Sequence, residues 1–137
     1  MDLEIVELSE GQQEEIDDRL LELDNPKISN SLKGEVNIGI TLGDGKLIAG
    51  LLSKGNDLRK LYICTLWVDE IHRGKGLGRR LLKELELRAK GLGANALETS
   101  TFWLEAADFY RNMGFTEIGS YTHPIDGYTE WFFIKFI

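Results

Sequence analysis

Cysteine, proline and histidine are scarce: one, two and two residues in a chain of 137. The single thiol, Cys64, has no partner for an internal disulfide, so no covalent framework holds this fold. It lies within an apolar run and reads as a small buried side chain, not a nucleophile. Long apolar runs are lacking too, and none approaches the roughly 20 residues that span a bilayer. The opening Met1-Asp2-Leu3-Glu4 is acidic where a secretory leader is basic. A cytoplasmic chain with no membrane partner is the expectation. Excess positive charge is also missing, with a net charge of −7. Residues 1–25 hold ten acids and one base, a net −9, and the remainder thirteen acids and fifteen bases, a net +2. This argues against a nucleic-acid partner. The acidic N-terminal segment reads as a solvated helix face and is also compatible with attracting a cationic amine. There are no internal repeats, low-complexity tracts or linkers, so one domain, 1–137, with a single core is expected.

What the chain does have is a glycine-rich turn between an apolar run and an amphipathic one. Leu61–Val68 ends in a short polar connection, Arg73-Gly74-Lys75-Gly76-Leu77-Gly78 follows, and a leucine-rich segment comes next. That order is strand, turn, helix. Glycines let backbone N–H groups approach a ligand closely. At a helix start those groups lack intrahelical partners and sit at the positive end of the dipole, which suits phosphate. A P-loop is excluded, because Lys75 is followed by Gly76 and not by Ser or Thr. The dinucleotide fingerprint fails as well, because its last glycine would fall on Arg79. The spacing that fits is R-x-x-G-x-G, with Arg73, Gly76 and Gly78.

The rest of the chain follows in order. Leu3–Leu8 alternates as a half-buried strand does. Ser9 and Gln12 form a capping box for a helix from about Glu10 to Leu23, which Pro26 stops. Asn25–Gly34 is a polar connection. Val36–Leu42 and Leu47–Leu52 make a hairpin across Gly43-Asp44-Gly45-Lys46. The helix Lys75–Lys90 places Leu77, Leu81 and Leu85 on one buried stripe, and Gly91 and Gly93 end it. Ala96–Thr101 is a strand, Leu104–Met113 a short helix, and Phe115–Tyr121 and Trp131–Ile137 two further strands. His123, beside Pro124, reads as a loop histidine.

A second segment, Ala106 to Phe115 (AADFYRNMGF), matches A-x-x-F/L-Y-x-x-x-G-F. Together with R-x-x-G-x-G it resembles the GNAT N-acetyltransferases, over about Val36 to Phe136. The resemblance implies an α/β fold: a mixed, mostly antiparallel seven-stranded sheet with helices on both faces. Its final strand inserts beside Ala96–Thr101, and Leu61–Val68 and Ala96–Thr101 splay apart to hold acetyl-CoA. It implies main-chain contacts to the thioester arm from Leu66 and Val68, and pyrophosphate binding by Arg73, Gly74, Lys75, Gly76, Leu77, Gly78 and Arg79. Tyr110 is the expected proton donor to the departing thiolate. The activity implied is acetyl transfer to a primary amine of a small molecule or peptide, with no metal, and with a homodimer left open. Alternatives are a longer acyl chain, or a module that holds or senses acyl-CoA without turnover. Two positions depart from the pattern. Glu70 replaces a common proline, and Trp103 stands where protein N-terminal acetyltransferases carry asparagine. Trp103, Tyr121 and Tyr128, with Phe102, are candidates to line an acceptor pocket, with Trp103 in the core as the other reading. Glu98 and the pair Asp69-Glu70 are weak candidates for a base.

Overall fold

The alternating runs between residues 35 and 68 become three antiparallel strands, β1 (Glu35–Thr41), β2 (Leu47–Gly55) and β3 (Lys60–Val68). The computed structural model describes residues 3–23, 32 and 34–137, and it divides into two compact units, Met1–Asn30 and Ser31–Ile137. In the first, α1 (Glu10–Leu23) starts at the expected capping box. Ser9 N–H donates to Gln12 Oε1 at 2.9 Å, and Gln12 N–H donates to Ser9 Oγ at 3.2 Å. The strand expected at Leu3–Leu8 is not formed, because residues 3–9 have no helix or strand assignment. Alternation marks a face that can be half-buried, but a strand needs a neighbour for its N–H and C=O groups. Leu3–Leu8 has no ladder partner among the described residues. The connection Asn25–Gly34 lies outside the described residues except for Leu32 and Gly34.

In the second unit, α2 (Leu77–Gly91), β4 (Ala96–Thr101), α3 (Leu104–Asn112), β5 (Thr116–Thr122) and β6 (Thr129–Phe136) follow β3. Among the described residues the sheet has six strands, not the seven expected, because Leu3–Leu8 does not join it; the order is β1-β2-β3-β4-β6-β5, antiparallel except for β3 beside β4. The last strand does insert between its two predecessors. Register puts Val36, Ile38 and Ile40 on one face with Ala49 and Leu51, then Leu61, Ile63, Leu66 and Val68. Leu97, Phe133 and Trp131 continue that face. Leu81, Leu82, Leu85 and Ala89 of α2, and Ala107 and Tyr110 of α3, join it in one core. Both helices of this unit therefore pack on the same face. Of the stripe read from the sequence, Leu81 and Leu85 are buried, at roughly 1.5–3 kcal/mol per leucine, and Leu77 is half-buried against the core.

One irregularity positions everything that follows. Ser53 pairs with Ile63 and Leu52 with Thr65, so Cys64 is an extra residue in β3. Cys64 is exposed and not buried as expected, because alternation from the core-facing Leu61 and Ile63 turns it to the other face, and the bulge leaves Thr65 outward beside it. A bulge bends its strand and increases the local twist. Pairing between β3 and β4 covers only Lys60↔Ala96, Leu61↔Leu97 and Tyr62↔Glu98, then stops. From Ile63 onward β3 leaves β4, and the gap opens toward the C-terminal ends of both strands.

Deleting Cys64 would restore regular alternation, with Leu61, Ile63, Leu66 and Val68 still facing the core. The expected outcome is a folded chain whose β3–β4 ladder extends, slowing amide exchange over Thr65–Val68 about tenfold or more. Exchange that stays fast would show that the bulge does not set the opening.

Candidate active site

Three elements meet at the parted strands. The tip of β3 leads through a 3-10 turn, Glu70–His72, into the glycine turn. Gly74 and Gly76 adopt φ of 76° and 79°, and an added Cβ at either would meet open space. Glycine is required there for backbone conformation and leaves the N–H groups uncovered. After Arg73, the first N–H to reach a backbone carbonyl is that of Arg80, which donates to Gly76 O at 3.0 Å. The amides of Gly74 through Arg79 are thus gathered at the start of α2 without main-chain partners outside the turn. Gly78 has a different task. Its Cβ would come within 3.3 Å of Phe109 Cζ, so its hydrogen lets the first turn of α2 pack against α3.

The cations of the turn are not alike. Arg73, Lys75 and Arg79 are all exposed, but Arg73 also donates from Nε to Val68 O at 2.9 Å. Arg73 ties the turn back to the tip of β3, a bond that the motif alone did not reveal. Leu66 and Val68 are half-buried on the helix-bearing face.

Tyr110 stands on α3 with 5% of its surface exposed, and its ring packs against Phe115, Phe109 and Phe133 at centroid distances of 5.2, 5.5 and 5.7 Å. Burial pushes its phenol above the ordinary value of 10.0, hydrogen bonding with Thr99 pulls it down, and the Tyr62 phenol adds to the rise. The net direction is upward, so the group is a protonated phenol at neutral pH. Thr99 marks the apex of the gap: its hydroxyl donates to Ile63 O at 3.1 Å, just past the last ladder pair. On the opposite face the Tyr62 and Ser100 hydroxyls lie 3.2 Å apart across the same gap. Neither Thr99 nor Ser100 carried any signal in the sequence, because their importance depends on where the ladder stops.

The aromatic candidates also come together. Trp103 is solvent-exposed, not core, and it contacts Phe102 at 5.4 Å. Phe102 meets Tyr128 at 5.4 Å, Tyr128 meets His123 at 4.1 Å, and His123 meets Tyr121 at 4.8 Å. His123 is therefore an inner member of a ring series and not a plain loop residue. Glu130, opposite Tyr121 in the β5–β6 register, accepts from its hydroxyl at 3.4 Å. Partial burial and the Glu130 carboxylate raise the Tyr121 phenol. Glu98 lies at the closed end of the gap, ion-paired at 3.1 Å with Lys60 Nζ. Among the described residues no group of three or more His, Cys, Asp or Glu is gathered as a metal site, and no helix is long and apolar enough to cross a membrane.

A mixed sheet parted beside a helix that opens on a glycine turn defines an acetyltransferase fold. The chain belongs to the acetyltransferase (GNAT) family, whose profile matches residues 4–115. It is similar to an acetyltransferase of Agrobacterium fabrum, 33% identical over 77% of this chain and 76% of that protein. It is similar to blasticidin-S acetyltransferase of Streptomyces morookaense, 30% identical over 74% of this chain and 75% of that one. Among solved structures, an acetyltransferase of Bacillus cereus superposes with a TM-score of 0.78 at 26% identity, over 98% of each chain.

Thr99→Val should leave Ile63 O without its partner, at a cost of about 1–2 kcal/mol in chemical denaturation. It also removes the hydroxyl that lowers the Tyr110 phenol, so the Tyr110 titration should move further upward, read from labelled tyrosine resonances against Tyr110→Phe. An unmoved titration would break the assigned link between Thr99 and Tyr110.

Proposed function

We propose that this chain moves the acetyl group of acetyl-CoA to a primary amine of a small molecule or peptide, by direct attack on the thioester. The observation that carries this reading is the coincidence of three features: a ladder that stops at Tyr62/Glu98, free amides beside it, and a buried protonated phenol at its apex. A module that only held acyl-CoA would have no use for that phenol.

In this reading the amides of Gly74 through Arg79 hold the pyrophosphate, with Lys75 and Arg79 adding exposed charge. Main-chain groups of Leu66 and Val68, on a strand without a partner on its β4 side, hold the thioester arm and face the developing oxyanion. A neutral amine attacks the carbonyl carbon, and a C–N bond forms as the carbonyl becomes an oxyanion. Collapse breaks the C–S bond, and Tyr110 gives its proton to the leaving thiolate. The proton that the nitrogen loses goes to solvent, because Glu98 is committed to Lys60. Trp103, Tyr121 and Tyr128 line the acceptor side. Arg73 fixes the turn to β3 more than it supplies charge.

The test is release of free CoA thiol from acetyl-CoA across polyamines, aminoglycosides, amino acids and peptides. Silence across the panel would overturn the reading. Gly76→Glu forces a side chain onto a backbone at φ 79° and adds an anion beside the amides. It should raise the acetyl-CoA dissociation constant on the order of 100-fold, while Lys75→Ala changes it only a few-fold, since exposed charges contribute little. A Gly76→Glu protein that binds within a few-fold of wild type would remove the turn from the site.

Tyr110→Phe keeps the packing and removes the donor. General acid catalysis is worth about 10²–10⁴-fold. CoA thiolate leaves readily, so a loss of about 10² in kcat is expected, with acetyl-CoA affinity unchanged. Because burial holds the phenol protonated, the ratio of wild type to variant should stay level from pH 7 to 9. It should shrink only above the ordinary tyrosine value. Equal rates at every pH would make the hydroxyl structural.

A further inference from the structure

The ring series at the mouth of the gap carries an inference about the acceptor itself, and it rests on the acetyl-transfer reading above. Phe102 and Trp103 follow the last residue of β4, and Tyr121, His123 and Tyr128 come from the β5–β6 hairpin. Thr101 pairs with Trp131, so both groups sit at the end of the sheet where β3 and β4 are apart. Phe102, Trp103, Tyr121 and Tyr128 each leave more than two fifths of their surface exposed, although they touch one another. Aromatic faces left open in a contiguous row attract cations through the ring quadrupole.

The charges along the hairpin have one sign. From Tyr121 to Ile134 the chain carries two acids, Asp126 and Glu130, and no Lys or Arg. Glu130 bonds to the Tyr121 hydroxyl and meets no cationic side chain within ion-pair distance among the described residues. This contrasts with Glu98, Glu86 and Glu117, each of which has its own Lys or Arg. The imidazole between Tyr121 and Tyr128 has its Nε2 buried and without a hydrogen-bond partner. An open aromatic row and a carboxylate at its edge without a countercharge fit one kind of group, a flat cation with N–H donors.

We infer that the acceptor carries, beside the amine that is acetylated, a distal planar cation of the guanidinium type. The cation stacks on the row formed by Phe102, Trp103, Tyr121, His123 and Tyr128 and is charge-paired with Glu130. A guanidinium is weakly hydrated, stacks on aromatic faces and donates in a fork to a carboxylate. A compact ammonium gains less from ring faces of this kind. The row thus sorts amines by what they carry at the far end, while the gap between β3 and β4 handles the reacting end.

The experiment uses 1-amino-4-guanidinobutane and its neutral isostere, in which a urea replaces the guanidinium. Binding is followed on the indole N–H resonance of Trp103, assigned by its loss in Trp103→Phe, and turnover is followed by thiol release. The wild type should show a saturable shift with the guanidine and at least about tenfold weaker binding of the urea. The same preference should appear in kcat/KM. Glu130→Gln should bring the two compounds within about twofold of each other, and Tyr128→Leu should weaken the guanidine with little effect on the urea. Equal binding of guanidine and urea, or a preference that survives Glu130→Gln, overturns the inference. The two readings fail separately. Thiol release with other amines, but no discrimination in the titration, overturns the cation row alone. No thiol release with any amine overturns acetyl transfer, and the row is then judged by the titration.

Discussion

The fold depends on hydrogen bonds that an interior pair of strands does not make. A buried parallel pair would ordinarily bond along its whole length, because each unpaired N–H or C=O in an apolar setting is costly. Here β3 and β4 pair over three residues and separate. The extra residue at Cys64 turns β3 away, and side chains take over where the ladder ends. The Thr99 hydroxyl satisfies Ile63 O, and Tyr62 and Ser100 meet across the other face. The parting is therefore a built feature with its own supports, and the edges it leaves can bond to a guest.

The supports are shared with the surroundings of Tyr110. Thr99, which closes the apex, also acts on the Tyr110 phenol, lowering it against the rise that burial causes. Tyr110 is held by three aromatic neighbours in the main core, so its hydroxyl is placed by packing and not by a flexible loop. Arg111, next in sequence, bonds to Asp108 at 2.7 Å and Glu117 at 2.6 Å and lies over the Trp131 and Phe133 rings. This fastens α3 to the β5–β6 side of the sheet. Gly78 lets α2 approach the same helix. The helix carrying the phenol is thus braced on one side by the element that presents the amides and on the other by the hairpin that presents the aromatic row.

Features with a local cause were legible in the sequence. The capping box at Ser9, the Asp-Gly hairpin, the leucine stripe of α2 and the glycine turn each need only neighbouring residues, and each is present. Boundaries shifted by one or two residues, as they do at frayed ends. Features decided by pairing were not legible. Leu3–Leu8 alternates yet has no strand assignment. Cys64 sits in an apolar run yet faces away from the core that its neighbours Leu61 and Ile63 join. Glu130 became visible only when the hairpin register set it opposite Tyr121. Gly78 fitted the motif, but its missing side chain also makes room for Phe109. Nothing short of the assembled sheet would have found Thr99.

The bond from Arg73 Nε to Val68 O has one more consequence. It makes the turn and the tip of β3 a single frame, so the distance from the amides to the apex is a fixed length. On the acetyl-CoA reading, that frame is a ruler. An arm joining phosphate to acyl group must match it, and a shorter arm leaves its carbonyl short of Tyr110 however well its phosphate is gripped. Selectivity among acyl carriers then rests on the span between two contacts, independent of the chemistry of either end.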